Sequence, residues 1–182
     1  MEVFLKDVRM AFAQNLFTPA KDDKGVLRYK AAFIIDPKSE AGAAMKNAVN
    51  AVAKEKWGAK APAILAVLKK DNRVSFKEDA RTNADGEAYD GFEGMWSASA
   101  SNKKRPTTIN RDRTPVSETD NVLYSGCYVN AFVDVWPQDN EHGKRINVAL
   151  TGVQFVRDGD AFGGSKVASA DAFQDISSEE IL

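Results

Sequence analysis

Three aromatic residues alternate with polar ones along Tyr128, Asn130, Phe132, Asp134 and Trp136. The residues between them, together with Cys127 just before, are Val129, Ala131, Val133 and Val135, all small and apolar. Period-two patterning of this kind describes a β-strand with one face in a core. The other face is unusual, because a solvated strand face normally carries charge. Three rings beside an amide suit a stacking platform, since every nucleic-acid base has a π-face and stacking tolerates any sequence. Tyr128 and Asn130 are the first candidates from this face, with Trp136 kept among the rings that could stack. The alternative is that Phe132 and Trp136 pack beneath helices.

Two further aromatics sit in suggestive surroundings. Phe92, Gly94, Trp96, Ala98 and Ala100 share one face of a second alternating stretch. A large ring among small residues leaves room beside Trp96 for a ligand or for a packed helix. Tyr29 lies between Arg28 and Lys30, a ring flanked by two bases. Residues 102–113 then carry Lys103, Lys104, Arg105, Arg111 and Arg113 against the single acid Asp112. Such density is what phosphate contacts need, and Thr107, Thr108 and Asn110 could add hydrogen bonds to phosphate or sugar. A solvated basic loop is the plain alternative.

The overall net charge of −1 conceals an asymmetry. Residues 158–182 hold six acids and the one base Lys166, which leaves 24 Lys and Arg against 20 Asp and Glu in residues 1–157. The body is therefore +4 and the tail −5, a separation that suggests a polyanionic partner for the body. The tail is mostly Ala, Ser and acids, with too little apolar surface to offset the entropy of ordering. Asp171, Asp175, Glu179 and Glu180 supply its charge, and Ile181-Leu182 end it with two apolar residues. It reads as a disordered segment that competes for a basic groove and contacts partner proteins.

Enzymatic signals are sparse. His142, the one histidine, lies in a polar turn, and no Cys/His zinc set or Gly-x-x-x-x-Gly-Lys-Ser/Thr loop is present. Asp134, Asp139 and Glu141, with Lys144, could be imagined as a metal-dependent nuclease centre. A non-catalytic adaptor domain is a third reading. The expectation is a binding protein with no catalysis, cofactor or metal. Cys127 falls on the core face and can form no internal disulfide, and no apolar run approaches the ~18 residues that span a membrane.

Elements must hold these residues in place. Residues 2–12 and 27–35 read as strands, separated by the turn Asp22-Asp23-Lys24-Gly25. A helix opens at Asp36-Pro37, with Ser39 as the competing cap, and ends at Gly58. A second starts near Pro62 and buries Ile64, Leu65 and Leu68. Residues 89–101 read as a strand interrupted by Gly91 and Gly94, and residues 107–111 as a short one. Residues 126–136 and 145–157 are the clearest strands, flanking a polar hairpin loop at 137–143. The fold class is mainly β with inserted helices: an oligonucleotide-binding (OB)-fold-like small β-barrel over 1–157, with a helical insertion at about 37–70, followed by an acidic tail over 158–182.

The runs SGCYVNAFVDVWP (125–137), GKRINVALTGVQFVRDG (143–159) and AFGG (161–164) carry a resemblance. They resemble the phage family of the Enc34 single-stranded-DNA-binding protein, formerly a domain of unknown function. The resemblance spans the whole chain. It implies an OB fold, single-stranded DNA as the partner, no catalysis, a role in phage DNA replication or recombination, a tail that reaches phage or host replication proteins, and a place in the cytoplasm of the infected bacterial host. It supplies no residue-level motif, so the site candidates rest on the residues themselves. One departure stands out, since the helices follow the second strand, whereas the usual OB helix lies between the third and fourth.

Overall fold

The computed structural model describes residues 1–163 and 170–178. Its strands are β1 (Glu2–Ala11), β2 (Ala20–Lys21), β3 (Leu27–Ile35), β4 (Phe76–Lys77), β5 (Trp96–Asn102), β6 (Thr107–Ile109), β7 (Tyr128–Asn140) and β8 (Gly143–Arg157). Two helices, α1 (Glu40–Trp57) and α2 (Ala61–Lys70), lie between β3 and β4.

Five strands close on themselves in the order β1–β3–β5–β8–β7 and back to β1. All neighbours are antiparallel except β5 and β8, which meet in parallel at Ser101 and Ala149. Numbered by ring strand this is 1-2-3-5-4, an OB-like arrangement. Alternation drives the closure. Val3, Leu5, Val8, Met10, Phe33, Ile35, Val129, Val133, Val135, Ile146 and Leu150 all point inward and are buried. Each such side chain contributes roughly 1.5–3 kcal/mol on leaving water.

Helix α1 plugs this core. Ser39 is its cap, its Oγ accepting from the Gly42 N–H at 3.1 Å. Asp36 instead forms the preceding turn, its carbonyl accepting from the Ser39 N–H, so Pro37 stands before the helix rather than in its first turn. Met45, Ala48, Val49, Val52 and Ala53 form the buried stripe and join the strand interiors in one cluster. In α2, Leu65 and Leu68 are buried and Ile64 partly so. The helices occupy the link between the second and third ring strands, as the sequence pattern placed them.

Three boundaries differ from the sequence reading. Residues 89–95 are turns, with Gly91 and Gly94 at φ 82° and 69°, so the strand begins only at Trp96. Phe92 is buried outside the ring, against Ala11 and Ile34 and beside Phe12, Met95 and Phe162, which explains an apolar residue in a non-strand segment. The short strand at 107 ends at Ile109. The expected loop at 137–143 is mostly strand, with only Glu141 and His142 turning. Pro137 is tolerated because β1 starts opposite Asp134, so β7 has a free edge there and needs no N–H.

The chain stays fastened to the ring beyond β8. The Tyr124 hydroxyl donates to Asp158 Oδ1 at 2.8 Å, and the Gly159 N–H donates back to it at 3.1 Å. Arg9 donates to the Asp160 carbonyl at 2.6 Å and lies 4.0 Å from the centre of the Phe162 ring. Residues 170–178 carry one short 3-10 turn and are exposed. Gly126 permits the fastening, with φ 116° and no room for a Cβ against the Asp160 carbonyl oxygen. Gly126→Ala should therefore cost about 2 kcal/mol, read from denaturant unfolding; an unchanged midpoint would show that the close approach is dispensable.

Candidate nucleic-acid interface

The outer face of β3 and β5 carries Arg28, Lys30 and Ala32 on one strand and Ser99 and Ser101 on the other. Small residues make a low floor. Two walls rise beside it. One is the link from β1 to β3, bringing Gln14, Asn15 and Lys24; the other is the β7–β8 hairpin, bringing Trp136, Gln138, Arg145 and Asn147. Together they bound a groove of about 860 Å³. Arg73 and Arg81 enter from the segment after α2. In OB folds this face, between these two links, is where oligonucleotides and oligosaccharides bind.

Charge in the groove is one-sided. Lys24, Arg28, Lys30, Arg73, Arg81 and Arg145 line it, against Asp22 and Asp23. Asp22 is occupied on both oxygens: Oδ1 accepts the Lys24 and Val26 N–H groups, each at 2.9 Å, and Oδ2 takes Arg28 at 2.8 Å. The Arg28 hydrogen bond, aided by those backbone donors, holds the Asp22 carboxyl down at about 2, so the pair persists across neutral and mildly acidic pH. Arg145 is the opposite case. Burial, and then repulsion from Arg73, lowers its pKa. An anion laid between Arg145 and Arg73 would relieve that repulsion. Arg73 is aimed by donating to the Lys144 and His142 carbonyls at 2.7 and 3.0 Å. Arg81 lies over the Phe12 ring at 4.3 Å. Trp136 is 41% exposed, an indole free to stack.

The residues singled out from sequence separate. Arg28 and Lys30 stand on the groove wall. Tyr29 falls on the other side of β3, in line with the buried Ala31, Phe33 and Ile35. Trp96 packs beneath α1, edge-on to Phe76 at 5.7 Å and close to Gly42, so it offers no platform. Tyr128 is covered by Arg157, whose guanidinium lies 3.6 Å from the ring centre, and its edge meets Gly159. Asn130 braces the bulge in β1, its Oδ1 accepting the N–H of Asp7, which sits at φ 49°. Lys103, Lys104 and Arg105 form the exposed β5–β6 loop and are not among the residues that line the groove. Arg111 donates to the Val156 carbonyl at 3.0 Å. In the tail, Asp171 and Asp175 are exposed, and Glu179, Glu180, Ile181 and Leu182 lie outside the described residues.

Sequence reasoning held Trp136 between stacking and packing, and left out Arg145, Asn147, Gln138, Arg73 and Arg81. Trp136 and the first three of these carried a signal: even positions of β7 and odd positions of β8 share the outer face, once 137–143 is read as strand. Arg73 and Arg81 lie in irregular chain and carried none. Phe132 is exposed at 44% rather than packed beneath a helix. The imagined nuclease centre does not assemble. Asp134 pairs with the Met1 ammonium at 2.7 Å, and Asp139 accepts from Trp57 at 2.9 Å and faces Lys144 at 3.5 Å. The two carboxylates stand five residues apart on opposite faces of β7, roughly 16 Å along the strand.

Known proteins match this arrangement. A family model described as Enterobacter phage Enc34, ssDNA-binding protein, matches residues 1–182. The putative protein p50 of Acyrthosiphon pisum secondary endosymbiont phage 1 is 40% identical over 185 residues, covering 99% of this chain and 96% of its own. Among solved structures, the single-stranded DNA-binding protein from bacteriophage Enc34 in complex with ssDNA superposes with a TM-score of 0.64 at 23% identity, over 89% of each chain. The gp2.5 single-stranded DNA binding protein encoded by bacteriophage T7 superposes at 0.58 and 13% identity over 96% of each. At those identities the two structures speak to the fold. The family match over residues 1–182, with a relative 40% identical across the chain, makes this chain a member of the phage Enc34 single-stranded-DNA-binding protein family.

Proposed function

We propose that this protein binds single-stranded DNA without strong sequence preference, in the groove between the β1–β3 link and the β7–β8 hairpin. One observation carries the reading: six cationic side chains and one exposed indole face a shallow floor of Ala and Ser. Lys and Arg release counterions from the phosphates, and Trp136 stacks on an unpaired base. The Ala and Ser floor offers no bidentate donors to base edges, and the amides Gln14, Asn15, Gln138 and Asn147 stand on the walls. The role is in phage DNA replication or recombination inside the infected host cell, with no catalytic step. The acidic segment after Phe162, including Asp171, Asp175, Glu179 and Glu180, competes with DNA for the groove, and Ile181-Leu182 contacts partner proteins.

Four outcomes test this. In titrations of a dT oligonucleotide, Trp136→Ala should lose about 1–3 kcal/mol of affinity, while Arg145→Ala should lower the salt slope by roughly 0.7. Affinity indifferent to both would place the strand elsewhere. Asp22→Asn should tighten binding several-fold at low salt. Its Oδ1 still accepts the Lys24 and Val26 N–H groups, so the turn survives while Arg28 is freed and a negative charge removed. Weaker binding would mean that Arg28 needs its carboxylate for aim. A chain ending at Gly163, which keeps the Phe162 anchor, should bind more tightly than the full chain at low salt, with the gap closing as salt screens the acids. Equal affinity at low salt would remove tail competition from the account.

A further inference from the structure

The basic loop at 103–105 and two exposed rings are left unused by the groove, and the sheet brings them together. Phe4 of β1 pairs with Phe132 of β7, Phe132 with Gly152 of β8, and Gly152 with Thr107 of β6. These four residues form one row across the outside of the sheet, with strands about 4.8 Å apart. The two rings touch at 4.9 Å between centroids, tilted by 42°, and each is 44% exposed. Gly152 adds no side chain beside Phe132, so the ring edges stay open toward β6. Arg105 stands two residues before Thr107 at the far end of the row, with Lys104 and Lys103 preceding it. Among the described residues none of these three cations has a carboxylate within ion-pair distance.

We infer that Phe4 and Phe132, together with Lys103, Lys104 and Arg105, form a second contact surface for the same DNA strand, reached after it leaves the groove. This rests on the groove being a single-strand site. Phe132 lies on the same outer face of β7 as Trp136, four residues further along, roughly 13 Å away. A strand stacked on Trp136 can therefore continue over the two rings, with its phosphates meeting the β5–β6 loop. Between the two platforms stand two acids, Asp134 and the Glu2 opposite it on β1, with the Met1 ammonium paired to Asp134. A protein partner fits the patch less well. Two half-exposed phenylalanines offer on the order of 200 Å², well short of the ~800 Å² per partner of a stable interface, and their cationic rim suits a polyanion.

The test compares dT oligonucleotides of about 6 and about 16 nucleotides, within the range of OB site sizes, on the full chain. The double variant Phe4→Ala/Phe132→Ala should bind the short oligonucleotide as the unaltered chain does and the long one about tenfold more weakly. Phe132→Tyr should keep the long-strand affinity. Replacing Lys103, Lys104 and Arg105 by Ala should lower the salt slope for the long oligonucleotide by about 2 and leave the short one unchanged. The second surface is overturned if the double variant binds the long strand normally, or if it loses equally on both lengths. It is overturned as well if sedimentation shows the substitutions abolishing self-association without touching DNA affinity. Should the unaltered chain bind neither oligonucleotide, the groove reading itself falls; should it bind both alike and the variants do the same, only the second surface falls.

Discussion

Everything on the outside of this molecule depends on the closure of its sheet. The pairing of β3 with β5, and the single parallel contact between β5 and β8 at Ser101 and Ala149, join the ends of what would otherwise be an open sheet. Closure needs every inward position to be apolar and of moderate size, and it removes exposed strand edges from the ring. It also frees alternate positions of every strand. Arg28 and Lys30 can face water because Phe33 and Ile35 supply the core. Trp136 can stand exposed because Val133 and Val135 do the same for β7. The lengthened β7–β8 hairpin then carries Gln138 and Arg145 beyond the ring to make a wall.

The groove is electrostatically unfinished in a way that suits a polyanion. Arg28 is the one groove cation seen paired with a carboxylate among the described residues, through Asp22. Arg145 and Arg73 repel each other, and Arg145 is also partly desolvated. Hydrogen bonds to backbone carbonyls hold Arg73 in place without neutralising its charge. Such crowding costs stability in the free protein, and an anion laid in the groove would relieve it. The same arithmetic applies to the acidic segment beyond Phe162, whose charge of opposite sign could relieve it from within the chain.

Much of the fold was legible in the sequence. β3 follows from an alternation that runs into the apolar stretch Ala31–Ile35, the end of α1 from Gly58 and its start from Ser39, the competing cap to Asp36, and the inward face of β7 follows from Cys127 through Val135. The site was legible only in part. Arg28 and Lys30 were found because they sit on a well-patterned strand. Trp96 and Tyr128 misled for one reason: alternation tells which side of a strand a ring leaves from, and is silent on what covers that side. For Trp96 the cover is α1, and for Tyr128 it is Arg157 and Gly159. Asn130 was absorbed by a β1 bulge that no pattern announces. Arg73 and Arg81 reach the groove through the tertiary fold alone. The polar character of residues 137–143 disguised a strand, because a hairpin solvated on both faces loses the alternation that marks one.

The central claim is that DNA lies against Trp136 in the groove, and the indole itself can report it. The three tryptophans differ in place: Trp57 is bound to Asp139, Trp96 is packed beneath α1, and Trp136 is in the groove. With Trp57→Phe and Trp96→Phe introduced together, Trp136 is the sole emitter. Titration with poly-dT at low salt should quench that emission in step with binding, and added salt should restore it as the complex dissociates. Binding seen by an independent method while the Trp136 emission stays unchanged would contradict the account and place the DNA on another face.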